Sequence, residues 1–235
     1  MTKPSRDDYA RAFDAERVEI YPAVSAFEVG AGFLLDRRRL EAAARVLACP
    51  VKAHAPNWQH GRVLYAMARQ YLAGRSGPCQ CLDIGTAKGF SALVLRWALD
   101  DAGVAGEVLS VDVLDPLEKV RRNTVAEVDG YLTLAETLAP WPEAARITFQ
   151  SLTGVAALKT LDRVHIAFVD GKHTFEAVSK EVALLAERQQ PGDVVMFDDA
   201  QVDGVAMAAK GSKQYDLTEF TLLPHRSYLI GFRRG

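Results

Sequence analysis

In Leu82-Asp83-Ile84-Gly85-Thr86-Ala87-Lys88-Gly89-Phe90-Ser91 a short apolar run ends in an acid, then a glycine, then a second glycine at the start of a helical pattern. Glycines suit such a turn because its backbone needs unusual φ/ψ and because a ligand must approach the chain closely. It is not the dinucleotide fingerprint, since Gly-x-Gly-x-x-Gly would need glycines where Ala87 and Phe90 stand. A helix N-terminus alone would favour a pyrophosphate. Asp83 at the strand end instead suits a ligand carrying positive charge. The competing reading is a tight turn with a capping aspartate and no ligand.

Outward from this turn the same texture repeats. Cys79–Ile84, Val108–Val113, Ile147–Phe149, Val164–Val169 and Val194–Phe197 are strand-length apolar runs. Between them, Phe90–Leu99, Leu152–Leu161 and Phe175–Arg188 show helical spacing, and Asp115-Pro116 has the form of an N-cap followed by proline at the first helical position. Strands alternating with helices predict an α/β fold, a doubly wound parallel sheet covered on both faces. The tail departs from this rhythm. Phe220–Leu223 and Tyr228–Phe232, split by Pro224-His225-Arg226, predict a C-terminal antiparallel hairpin. Upstream, helical patterns run over Arg6–Phe13 and after Asp36, and Asn57 is placed to cap a helix reaching Leu72. The expected division is a helical N-terminal extension, 1–56, and a ligand-binding domain, 57–235, forming one compact unit.

Composition narrows the class. With 49% hydrophobic and 25% charged residues the chain is an ordinary globular one, and a net charge of −2 offers no basic stripe for nucleic acid. The longest apolar runs are too short for a membrane span, and the first residues hold no signal-like apolar core. Three cysteines, Cys49, Cys79 and Cys81, suit a reducing compartment, so the expected address is the cytoplasm. Cys79 and Cys81 could ligate a metal; two thiols on one face of a buried strand is the plainer reading.

Two further strand ends carry acids. Val108-Leu109-Ser110-Val111-Asp112 ends in a carboxylate that can accept the hydroxyls of a ribose, which points to an adenosine-bearing ligand. Phe168-Val169-Asp170-Gly171-Lys172-His173 and Val195-Met196-Phe197-Asp198-Asp199 close the fourth and fifth strands. If those strands are neighbours, their ends lie about 5 Å apart. Three converging carboxylates repel unless they hold a cation, and oxygen ligation points to Mg²⁺, Ca²⁺ or Mn²⁺. Alternatively these acids cap helices or pair with Lys172 and Lys180.

Together, Asp83–Ser91, Phe168-Val169-Asp170-Gly171-Lys172-His173-Thr174-Phe175-Glu176 and Pro191-Gly192-Asp193-Val194-Val195-Met196-Phe197-Asp198-Asp199 resemble the class I S-adenosylmethionine-dependent methyltransferases. More narrowly, they resemble the branch of metal-dependent sugar and macrolide O-methyltransferases, over roughly 57–232. The resemblance implies a Rossmann-like methyltransferase sheet and a cofactor site at Asp83, Gly85, Thr86, Gly89, Ser91, Asp112, Ser151 and Asp170. It further implies Mg²⁺ or another divalent cation at Asp170, Asp198 and Asp199, with Asp170 or His173 receiving the acceptor's proton. The stretch 200–216 is short compared with the antibiotic enzymes, where it helps cover a bulky acceptor. The expected partner is therefore a small hydroxylated molecule, with no nucleic acid and no membrane, and a homo-oligomer is compatible with the chain. His54 and His60 bracket Pro56-Asn57-Trp58-Gln59, read as either a lid or a docked loop, while Trp58, Phe90 and Phe175 could shelter an apolar ring or belong to the core. Two rival readings remain: a nicotinamide-dependent oxidoreductase, disfavoured by the missing third glycine, and a non-catalytic adenosyl-ligand-binding partner of an oxygenase.

Overall fold

Buried apolar side chains on both faces put strand β1 (Cys79–Ile84) in the middle of the molecule. The computed structural model describes residues 3–52, 56–223 and 226–235. Around β1 lie β2 (Gly106–Asp112), β3 (Ile147–Ser151), β4 (Ile166–Val169), β5 (Val194–Phe197), β6 (Tyr215–Leu223) and β7 (Arg226–Arg233). Among the described residues they form one sheet of order β3-β2-β1-β4-β5-β7-β6. The first five strands are parallel, and β7 runs antiparallel to both β5 and β6. This is the doubly wound Rossmann-like methyltransferase sheet with its terminal hairpin. The strand order reverses between β1 and β4, which opens a crevice at their carboxyl ends.

Register decides what meets in that crevice. Ile84 pairs with Val111 on one side and Val169 on the other, and Val169 pairs with Phe197. The next residues along each strand, Gly85, Asp112, Asp170 and Asp198, therefore emerge along one sheet edge. Alternation fills both faces. Cys79, Cys81, Phe168 and Met196 pack on one face against α3 (Arg37–Leu47), α4 (Gln59–Leu72) and α5 (Phe90–Ala102). Leu82, Ile84, Val169 and Phe197 pack on the other against α7 (Gly154–Thr160), α8 (Phe175–Arg188) and α9 (Asp203–Gly211). All three cysteines are free and buried, and the neighbouring Cys79 and Cys81 lie within the apolar core.

Upstream, α1 (Arg6–Arg17) and α2 (Pro22–Ala31) are tied to α4 through buried polar groups. Gln59 Nε2 and the Tyr21 hydroxyl donate to the two oxygens of Glu16, at 3.2 and 3.0 Å, and Arg62 pairs with Glu28. Asp36 caps α3 by accepting the Arg39 amide at 2.8 Å. Asn57 accepts the Gln59 amide at 2.7 Å, with Trp58 at the N-cap position itself. His54, Pro224 and His225 lie outside the described residues. No helix among the described residues is long and apolar enough to cross a membrane.

One expected helix is absent. Asp115 does accept the Leu117 amide, at 2.8 Å, but no helix follows Pro116. The buried Arg122 side chain donates to the Asp115 and Glu118 carbonyls, and its amide donates to the buried Glu127 carboxylate at 2.8 and 3.0 Å. These bonds satisfy backbone acceptors that a helix would have claimed, and they hold the segment as a loop. Before β3 this connection holds two 3₁₀ turns, Val125–Glu127 and Pro142–Arg146, and the short α6 (Leu134–Leu138).

Candidate active site

The turn after β1 is shaped by close approach. Gly85 has φ +102°, and a Cβ there would stand 2.1 Å from the Asp170 carbonyl oxygen. Gly89, at φ +83°, opens α5 where a Cβ would meet Leu138 at 2.9 Å. Asp83, expected at the ligand, lies beneath this turn and is fully buried. Its Oδ2 accepts the Ser110 hydroxyl at 2.5 Å, Ser110 Oγ lies 2.6 Å from Thr86 Oγ1, and Asp83 Oδ1 has no partner. Burial pushes the Asp83 carboxyl up to about 7. Thr86 and Ser91 are buried beside it. Asp83, Thr86 and Ser91 thus brace the turn from below, while Gly85 faces the cleft.

That cleft, about 640 Å³, opens between the ends of β1 to β4 and the first turns of α7 and α8. Gly85, Asp112, Gly154, Asp170 and Glu181 line it, with Ile84, Val111, Val113, Leu152 and Val155 supplying apolar walls. Asp112 Oδ2 accepts the Ala87 amide at 2.8 Å and Oδ1 the Leu114 amide at 3.0 Å, so the acid joins the two turns that frame the cleft. Each oxygen keeps a lone pair for a ligand. Ser151 is the register partner of Asp112, and its hydroxyl donates to the Val113 carbonyl at 3.3 Å; it stands beside the cleft lining.

Asp170, part of the cleft lining, also belongs to an acid–histidine group. Asp170, His173 and Asp199 each place one ligand atom within 4.8 Å of the others. His173 Nε2 lies 3.1 Å from Asp170 Oδ1, and Nδ1 lies 3.4 Å from Asp199 Oδ2. The hydrogen bond to Asp170 raises the His173 pKa above its ordinary value. Burial raises that of Asp170. Asp199 has φ +51°, a left-handed backbone that a non-glycine residue adopts only when its surroundings impose it. Asp198, expected as the third metal ligand, stands outside this group: its buried Oδ1 accepts the Asp199 amide at 2.7 Å, bracing that turn. His173 is the third member of the group. Two carboxylates and an imidazole are a donor set that suits a divalent cation.

Arg226, expected in the turn of the hairpin, is the first residue of β7. Its Nη1 donates to Asp199 Oδ1 at 2.7 Å, and Gln201 Nε2 donates to the same oxygen at 2.7 Å. No local pattern marks Arg226, because strand pairing alone brings it opposite Asp199. His60 lies between Phe90, edge-on at 5.1 Å, and Phe168, stacked at 5.9 Å, where burial lowers its pKa to about 4. Trp58 and Phe90 are core residues, Trp58 stacking on Phe13 at 5.2 Å, whereas Phe175 is exposed.

The family model for a methyltransferase domain matches residues 82–200, more than half of the chain, and the chain belongs to that family. No curated protein matches it. Solved structures with the same fold include the O-methyltransferase TomG from Streptomyces achromogenes, involved in tomaymycin synthesis and in complex with S-adenosylmethionine. It is 20% identical, with 86% of this chain and 92% of that one covered, at a TM-score of 0.58. The O-methyltransferase from Bacillus cereus in complex with S-adenosylhomocysteine is 13% identical over 92% and 93% of the two chains, TM-score 0.55. Cofactor-bound Rv0187 from MTB is 20% identical over 99% of each chain, TM-score 0.56.

Proposed function

We propose that this methyltransferase moves the methyl group of S-adenosylmethionine to an oxygen of a small hydroxylated molecule. The reading rests chiefly on Asp170, which belongs both to the cleft lining and to the acid–histidine group. A cofactor in the cleft and an acceptor at that group would then meet across one residue. The solved O-methyltransferases of the same fold that hold S-adenosylmethionine or S-adenosylhomocysteine favour the same cofactor.

In this reading Gly85 lets the cofactor's amino acid end lie against the backbone, and Asp112 accepts from the ribose hydroxyls. The acceptor hydroxyl lies beside His173. Its oxygen attacks the methyl carbon as the carbon–sulfur bond breaks; the bonding pair stays on sulfur, and the hydroxyl proton passes to the His173–Asp170 pair. In-line displacement depends mostly on alignment, and a positioned base adds about 10²–10⁴-fold. Asp170 and Asp199, with His173 beside them, would hold a divalent cation. When bound, such a cation lowers the pKa of an acceptor hydroxyl and orients it. Arg226 keeps its hold on Asp199 and fixes that carboxylate's direction.

The experiment is methyl transfer from labelled S-adenosylmethionine to a panel of catechols, vicinal diols and hydroxy acids, with peptide and tRNA controls, analysed by mass spectrometry. Small hydroxylated acceptors should gain the label on oxygen. His173→Ala should lower the rate by about 10²-fold or more, and chelation with EDTA should lower it further. Labelling confined to tRNA or peptide would overturn the acceptor class. An unchanged rate in EDTA would mean that Asp170, His173 and Asp199 hold no catalytic cation.

A further inference from the structure

Helix α8 carries Glu181 inward, where the residue is only 5% exposed, and its carboxylate reaches the floor of the cleft. There it lies near two glycines, Gly154 and Gly171. Its Oε1 stands 2.4 Å from where a Cβ on Gly154 would be and 3.9 Å from where one on Gly171 would be. The Ile84 side chain abuts both glycines. Oε2 is buried without a hydrogen-bond partner. The neighbouring lysine on the helix does not compensate it, since Lys180 Nζ pairs outward with Glu176 at 2.7 Å. A buried carboxyl left unsatisfied is costly, and such groups persist in folded proteins mainly where something else requires them.

We infer that Glu181 reads the adenine of the cofactor, accepting a hydrogen bond from its 6-amino group. This rests on the reading that the cleft holds an adenosyl cofactor. Asp112 at the β2 end serves the ribose, and the apolar walls beyond it, Val111, Val113, Leu152 and Val155, suit the faces of a flat ring. On its outer edge adenine has one group that only donates, the 6-amino group. Glu181, a buried acceptor with an oxygen free of any partner beside those apolar walls, complements that feature. Gly154 keeps the path open, since any side chain there would collide with Glu181 and Ile84.

Calorimetry with S-adenosylhomocysteine and with its analogue bearing purine in place of adenine, which lacks only the amino group, tests the assignment. At about pH 8, above the range in which burial keeps the Glu181 carboxyl protonated, wild type should bind the adenine compound about tenfold or more tightly, the range for a hydrogen bond to a charged group. Glu181→Gln keeps a carbonyl acceptor and should retain most of this preference. Glu181→Leu should weaken S-adenosylhomocysteine about tenfold and bring the two compounds level. Thermal midpoints without ligand establish that each variant is folded; if the leucine variant is not, the wild-type ratio and the glutamine variant decide. Equal binding of both compounds by wild type, or a preference surviving in Glu181→Leu, overturns the assignment and leaves the cofactor reading standing. Binding of neither compound by wild type overturns both.

Discussion

At Gly85 two constraints coincide: a left-handed φ of +102° and an Asp170 carbonyl 2.1 Å from any added Cβ. Gly85→Ala should cost about 3 kcal/mol or more in stability, combining backbone strain with overpacking. Urea unfolding measures this, and a loss under about 1 kcal/mol would show that the turn can relax. Glu181 makes a second prediction. Burial raises its pKa from 4.5 to about 7, so the folded state holds this proton more tightly than the unfolded chain does. The stabilisation from the neutral carboxyl is fully present below 4.5, is lost as pH rises to about 7, and changes no further above it. The stability of wild type relative to Glu181→Gln should therefore fall by up to about 3 kcal/mol across that window. Chemical denaturation at a series of pH values gives the difference directly. A flat difference would mean that Glu181 is solvated or paired. Asp170 and Asp199 were legible in the sequence because they end apolar runs. Glu181 and Arg226 were not, since each reaches the site through tertiary approach, one from the inward side of α8 and the other across the hairpin.

Among elements, the strands and α5, α7 and α8 were legible because uninterrupted apolar runs alternate with helical spacing and glycine turns. Helix α2 was not, because Pro22–Ala31 offers apolar residues without a clear polar face. Strand β6 proved longer than expected: Asp216, Thr218 and Glu219 belong to an edge strand whose outer side faces water, so they broke the apolar run without breaking the strand. The missing helix after Asp115 shows the limit of cap motifs. Asp-Pro marks where a helix is able to begin, and buried Arg122 and Glu127 decide that none does. Glu127→Ala would leave the Arg122 amide without its acceptor and the Arg122 side chain without its nearby carboxylate. It should cost about 1–3 kcal/mol and make 113–133 the first segment cut in limited proteolysis. An unchanged digestion pattern would mean that the loop is held from elsewhere.

Across the whole molecule, the reversal of strand order at β1 and β4 gathers four strand ends into one crevice. Gly85 and Asp112 lie toward one side, Asp170 at the junction, and His173, Asp199 and Arg226 on the other. On the proposed reading the two features divide the work: the cleft would take the nucleoside-sized ligand, and the acid–histidine group beside it would accept the proton. The central claim is that the cleft takes an adenosyl cofactor through the β2-end acid. Titration calorimetry of S-adenosylhomocysteine against wild type and Asp112→Ala tests it most directly. Wild type should bind, and the variant should lose about tenfold or more in affinity while staying folded by its thermal midpoint. Undiminished affinity in Asp112→Ala, or binding of NADH with none for S-adenosylhomocysteine, would contradict it.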